Sequence, residues 1–154
     1  MKKYDLNNLP IEIYADGPTL NEINESNKSL IKGYTFNPTL FRMLGVKDYL
    51  GHCKDLIRIC QSLPISLEVF ADDEKEMIKQ GKILGNLAKN VFVKIPITNT
   101  KGEYTTNVLN ALAQEGIKLN VTAVFTKNQV ETILPVLNTS NSIISIFSGR
   151  IFDV

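Results

Sequence analysis

The run Val91-Phe92-Val93-Lys94-Ile95-Pro96-Ile97 sets six apolar residues around a single charge. Continuous apolar character over so short a stretch reads as a strand buried on both faces, the pattern of a parallel sheet covered by helices. A charged ammonium in that setting is costly to desolvate, so Lys94 must find a partner or give up its proton. An unperturbed lysine, with a pKa of about 10.4, is almost wholly protonated at neutral pH. Surroundings that favour the neutral amine turn it into a nucleophile of the Schiff-base kind. The run by itself leaves a second reading open, a lysine that blunts an edge strand or snorkels to solvent.

Outward from this run, strand-like segments at residues 11–16, 33–37, 65–71, 90–97, 119–125 and 142–148 alternate with amphipathic stretches at 19–25, 38–63, 73–88, 104–114 and 127–137. Local chemistry supports the boundaries. Thr126-Lys127-Asn128-Gln129 has the form of a capping box, Asp72 and Asp73 place negative charge at a helix start, and Gly116 suits a left-handed helix end. The long stretch 38–63 is expected to hold a short helix, a turn at Gly45 and a longer helix from Lys47.

Repeated strand–helix units imply a parallel sheet, either open and doubly wound or closed as a (β/α)8 barrel. No glycine-rich phosphate loop follows the first strand, which weakens the nucleotide-binding version. Polar residues instead recur near the strands' carboxyl ends: Asp16, Thr35 and Asn37, Glu68, Lys94, Asn120 and Thr122, Ser145 and Arg150. That recurrence favours the barrel, whose active sites lie at that end. About six of eight units are visible, and barrels typically need about 250 residues. The expectation is one barrel-type domain over residues 1–154, incomplete at its C-terminus.

Composition narrows the function classes. With 154 residues, 44% of them hydrophobic, the chain can bury a sizeable core. Its 17 basic and 16 acidic residues are nearly balanced, with no basic patch to mark a nucleic-acid partner. No apolar stretch approaches the roughly 20 residues of a membrane span, and the N-terminus lacks a signal-peptide core, so a cytoplasmic protein is expected. Cys53 and Cys60 fall on the apolar stripe of a helix with Leu50, Leu56, Ile57 and Leu63, as structural thiols do. No metal site is expected. His52, the sole histidine, has no triad or metal spacing around it and is assigned a surface role. Acid–base work then falls to carboxylates, lysine or tyrosine.

Read by residue type alone, several polar positions have two meanings. Asp16-Gly17-Pro18 is good turn chemistry as well as an available acid–base group, and Asn37-Pro38 is a good helix entry. Glu68 and Thr122 are equally partnered polar groups at a sheet end, and Arg150 equally a surface arginine.

Six segments in chain order resemble the motifs of the transaldolase family, including its short transaldolase and fructose-6-phosphate aldolase branch. They are Ile13-Tyr14-Ala15-Asp16, Gly33-Tyr34-Thr35-Phe36-Asn37-Pro38-Thr39-Leu40, Ser66-Leu67-Glu68-Val69, Val93-Lys94-Ile95-Pro96-Ile97-Thr98, Leu119-Asn120-Val121-Thr122 and Ser145-Ile146-Phe147-Ser148-Gly149-Arg150-Ile151. Phe36 stands where the family has a second threonine, and Ile146 where it has proline.

The resemblance implies class I aldol chemistry without metal or organic cofactor. Lys94 would form the imine and Asp16 would act as acid–base, while Glu68 and Thr122 would hold a proton-relaying water. Thr35, Asn37, Asn120 and Ser145 would orient sugar hydroxyls, Phe147 would form an apolar wall, and Arg150 would take the substrate phosphate. The implied reaction moves a dihydroxyacetone unit from a ketose phosphate to an aldose phosphate, a step of the pentose phosphate pathway. Glutamate at 68 and phenylalanine at 147 point to the transaldolase type, since the aldolase branch resembles the family with glutamine and tyrosine there. The alternatives are a fructose-6-phosphate aldolase-like lyase and a non-catalytic phosphosugar-binding or assembly protein. Sugar phosphates are the expected partners, and a sheet with open edges predicts a homo-oligomer.

Overall fold

A computed structural model describes residues 10–26, 29–137 and 141–150. The chain divides between Ile65 and Ser66 into two compact units.

The first unit carries β1 (Ile13–Asp16), α1 (Leu20–Glu25), β2 (Ile31–Thr35), α2 (Pro38–Met43) and α3 (Tyr49–Cys60). β1 and β2 are parallel, with Tyr14 opposite Gly33 and Asp16 opposite Thr35. Strand β2 begins two residues before the expected start at Gly33. That glycine is no boundary: a Cβ there would strike the Tyr14 ring and lie 2.9 Å from the Pro64 carbonyl oxygen. Its bare backbone lets the ring cross the strand. Helix α1 opens on a capping box in which Thr19 and Glu22 satisfy each other's backbone N–H groups. At α2, Asn37 Oδ1 accepts the Leu40 N–H at 2.9 Å, and Pro38 takes the first helical position, where no N–H is needed. Gly45, at φ 73°, separates α2 from α3 as expected.

Cys53, Leu56 and Cys60 form the buried stripe of α3. Phe41 stacks obliquely on Phe36 and Tyr49 at centroid distances of 5.5 and 5.0 Å. Burying such side chains stabilises the unit by about 1.5–3 kcal/mol each.

The second unit holds most of β3 (Ile65–Glu68), then α4 (Glu74–Gly85), β4 (Val91–Pro96), α5 (Thr106–Gln114), β5 (Leu119–Val124), α6 (Lys127–Leu137), β6 (Ser142–Ile146) and a short 3-10 turn, Ser148–Arg150. Its strands neighbour one another in chain order, β3-β4-β5-β6, and the β4–β5 and β5–β6 pairs are parallel. In the first unit Tyr34 of β2 likewise donates to the Pro64 carbonyl, just before β3. Chain-order neighbours are the arrangement of a barrel, whereas a doubly wound sheet reverses its order at a switch point. The fold is therefore that of a (β/α)8 barrel, with six of its strands among the described residues.

Alternation along the strands creates two unlike faces. Val93 and Ile95 of β4 pair with Leu119 and Val121 of β5, and all four are fully buried. This face meets the helices: a Cβ on Gly85 of α4 would come within 3.3 Å of Val93 and 2.7 Å of Ile117. Gly81 admits Leu112 of α5 in the same way. The opposite face carries Ser66 and Glu68, Lys94, Asn120 and Thr122, and Ser145. The expected caps form. Asp73 Oδ1 accepts the Glu76 N–H at 3.0 Å, and the two halves of the Thr126–Gln129 box close at 3.0 and 3.2 Å. No helix among the described residues is long and apolar enough to cross a membrane.

Candidate functional site

Lys94 lies midway along β4, with only 5% of its surface exposed. Of the outcomes open to a buried lysine, the fold supplies the partner: Glu68 Oε2 of β3 is 3.4 Å from Nζ. The two strands are tied at this level by the Val69 N–H donating to the Lys94 carbonyl at 3.2 Å. Two unit charges at this separation attract by about 5 kcal/mol at an effective dielectric of 20. Desolvation of several kcal/mol per ion offsets most of that. The pair is thus close to neutral for stability, and its value lies in fixing where the amine points.

Opposite Lys94 on β5 stands Asn120, itself buried, with Thr122 two residues further and opposite Pro96. Asn120 Nδ2 donates to Ser66 Oγ of β3 at 2.9 Å, and its Oδ1 accepts from Ser145 Oγ of β6 at 2.7 Å. The first of these bonds passes over β4. Strands two apart are separated by about 10 Å, so their short side chains meet only on the concave side of a curled sheet. Lys94 projects into that concavity. The Thr122 hydroxyl faces it too, and its buried oxygen has no hydrogen-bond partner among the described residues. An unpaired buried hydroxyl costs about 1–3 kcal/mol, and groups of this kind gather where a ligand completes the bonding.

In the first unit, Thr35 Oγ1 donates to Asp16 Oδ1, and the Gly17 N–H donates to the Thr35 carbonyl at 2.8 Å. Gly17 sits at φ 64°, so the turn chemistry of Asp16-Gly17 is realised, with the carboxylate held by Thr35 at the strand ends. Asn37 is the α2 cap. Phe147, half-buried beyond β6, meets Phe125 edge-on at 5.7 Å. The backbone of Arg150 closes the 3-10 turn, and its side chain lies outside the described residues.

The structure therefore joins Asp16 to Thr35, Lys94 to Glu68, and Asn120 to Ser145. A hollow of about 550 Å³ lies elsewhere in the second unit, among Asp72, Met77, Asn99, Tyr104 and Asn107. None of Glu68, Lys94, Asn120 or Thr122 lines it. There Asp72 accepts from the hydroxyl and N–H of Thr100, which hold its carboxyl below the usual range. The hollow is open and polar, and it lies apart from the buried lysine.

Among the described residues no three histidine, cysteine or acidic side chains are grouped to hold a metal. Cys53 and Cys60 are buried, and burial first, then the charge of Asp48, pushes the Cys53 thiol up to about 12. His52 departs from its expected surface role. It is half-buried, its ring meets Phe41 edge-on at 4.8 Å, and its buried Nε2 has no partner among the described residues. The hydrophobic neighbourhood of α2 draws the ring inward. Sequence reasoning also passed over Ser66, although its place two residues before Glu68 on a strand sets both on one face.

Residues 13–154 match the model of the transaldolase/fructose-6-phosphate aldolase family. A probable transaldolase of Thermoanaerobacter sp. is 35% identical over 145 residues, covering 94% of this chain and 63% of the relative. Probable transaldolases of Methanococcus maripaludis and Dehalococcoides mccartyi are 36% and 34% identical, again covering 63% of their own lengths. The chain thus spans a little under two thirds of the curated relatives it matches.

Proposed function

Because the chain belongs to the transaldolase/fructose-6-phosphate aldolase family, we propose that it carries out Schiff-base aldol chemistry of the transaldolase type at Lys94. The observation that supports this most is the buried lysine on the concave face, 3.4 Å from Glu68, with the unpartnered Thr122 hydroxyl facing the same space. A lysine serving only to blunt a strand edge needs neither feature.

The Lys94 amine adds to the carbonyl carbon of a ketose phosphate, and loss of water leaves an iminium. Glu68 and Thr122 hold the water that carries protons between the amine and the departing oxygen. Their placement on strands β3 and β5, to either side of Lys94, suits that task. Asp16, kept in place by Thr35, takes the proton of the hydroxyl next to the bond that breaks. The carbon–carbon electrons flow into the iminium, an aldehyde departs, and a three-carbon enamine stays on the lysine. Attack of that enamine on an acceptor aldose phosphate and hydrolysis of the imine complete the transfer, the pentose phosphate reaction.

Asn120 and Ser145 orient hydroxyls with a geometry already set by their mutual bond, joined in this role by Thr35 and Asn37. Phe147 forms an apolar wall and Arg150 takes the phosphate. Glu68 and Phe147 favour transfer over simple cleavage.

The test is Lys94→Met, assayed for formation of sedoheptulose 7-phosphate from fructose 6-phosphate and erythrose 4-phosphate. Transfer should vanish while the circular dichroism spectrum is kept. A variant that retained transfer would overturn the proposal.

A further inference from the structure

Strand β5 does not keep its alternation to the end. Its register with β6 is regular from Leu119↔Ser142 to Val121↔Ile144 and then shifts, so that Val124 pairs with Ile146. Two residues of β5, Thr122 and Ala123, are accommodated where β6 supplies only Ser145, and Ala123 sits at φ 57°. This is a β-bulge, with a left-handed residue that is uncommon outside glycine.

The bulge exchanges faces. In strict alternation Val124 would follow Asn120 and Thr122 into the concavity, and Phe125 would turn to the helices. Instead Val124 shares the face of Val121 and Ile144 and is fully buried. Phe125 is turned to the side of Ser145 and Phe147, where its ring meets that of Phe147 at 5.7 Å and an interplanar angle of 72°. It remains 40% exposed. A conformation costly for alanine thus places an aromatic ring on the side of the sheet where Lys94 lies. Bulges beside active sites re-aim side chains in this way.

We infer that Phe125 is a specificity-determining residue, forming with Phe147 an aromatic wall that contacts the outer end of the acceptor aldehyde. The inference rests on the Schiff-base function proposed for Lys94. Phe125 stands five positions beyond Asn120, at most roughly 16 Å along the strand at about 3.3 Å per residue. The three carbons held at the lysine lie near Asn120, so the wall meets the far carbons of a long acceptor and leaves a two-carbon one untouched. Aromatic edges suit the C–H faces of a sugar chain, with the hydroxyls left to Asn120 and Ser145.

The test compares erythrose 4-phosphate with glycolaldehyde as acceptors for the full chain and its Phe125→Ala and Phe125→Tyr variants. Borohydride trapping of dihydroxyacetone on Lys94 is run on all three. Phe125→Ala should lower kcat/KM for erythrose 4-phosphate about tenfold, through KM, and keep glycolaldehyde within twofold. Phe125→Tyr should retain both. Equal losses for the two acceptors, or no loss for the longer one, would overturn the wall while adduct formation left the lysine chemistry intact. No adduct on the unaltered chain would overturn the lysine chemistry, and the wall with it.

Discussion

Neighbouring residues of one strand, Lys94 and Ile95, live in opposite chemistries. Ile95 belongs to the face packed by α4 and α5, whose requirement is shape, met by glycines at 81 and 85 that let Leu112, Ile117 and Val93 close in. Lys94 belongs to the concave face, where Glu68, Ser66, Asn120 and Ser145 form ion-pair and hydrogen-bond links from strand to strand. The first face supplies stability, and the second carries the groups of the proposed chemistry at little net stability. A strand with period two delivers both from a single run of sequence.

Substitutions on the two faces should separate accordingly. The largest loss of stability is expected from Ile95→Ala, about 2–5 kcal/mol by removal of a fully buried side chain. Denaturant melts should show it, and adduct formation at Lys94 should survive under conditions where the protein stays folded. Glu68→Ala should cost less, about 2 kcal/mol, because it leaves a buried ammonium without its partner. It should also abolish trapping, and Glu68→Gln should recover stability more than activity.

Thr122→Val sharpens the comparison further. The hydroxyl it removes has no partner among the described residues, so stability should rise by up to about 1 kcal/mol while transfer slows at least tenfold. Equal activity in this variant would show that the hydroxyl is idle.

The smallest effect at neutral pH concerns Cys53. Its thiol is pushed up to about 12 from an ordinary value of 9.0. The raised value means that stability is complete below about pH 9, where neither state ionises. It falls as pH rises, since the unfolded thiol ionises first. Alkaline melts of Cys53→Ala should lack part of this decline. At pH 8 the native thiol should resist alkylation that unfolded chain undergoes readily.

Much of the fold was legible because its signals are local or periodic. Thr126 and Gln129 close the predicted capping box, and Asp73, expected as charge at a helix start, caps that helix. The glycine turns at 45 and 116 take positive φ, and the apolar runs became the buried strands. Gly33 misled as a boundary because glycine marks turns far more often than it makes room for a ring from the next strand. The bulge at Ala123 was invisible because alanine carries no signature of left-handed backbone. A period of two alone would set Phe125 on the helix-facing side, opposite to where it lies. At the candidate site, Lys94 and Glu68 were readable from their motifs. The bridge from Ser66 to Asn120 was not, since it joins strands two apart and depends on the curl of the sheet.

The most direct test of the central claim is borohydride reduction of the unaltered chain in the presence of fructose 6-phosphate, followed by peptide mass mapping. A reduced three-carbon adduct on the peptide containing Lys94, and on no other lysine, is the predicted result. A folded chain that gave no adduct, or one modified at surface lysines alone, would contradict the account.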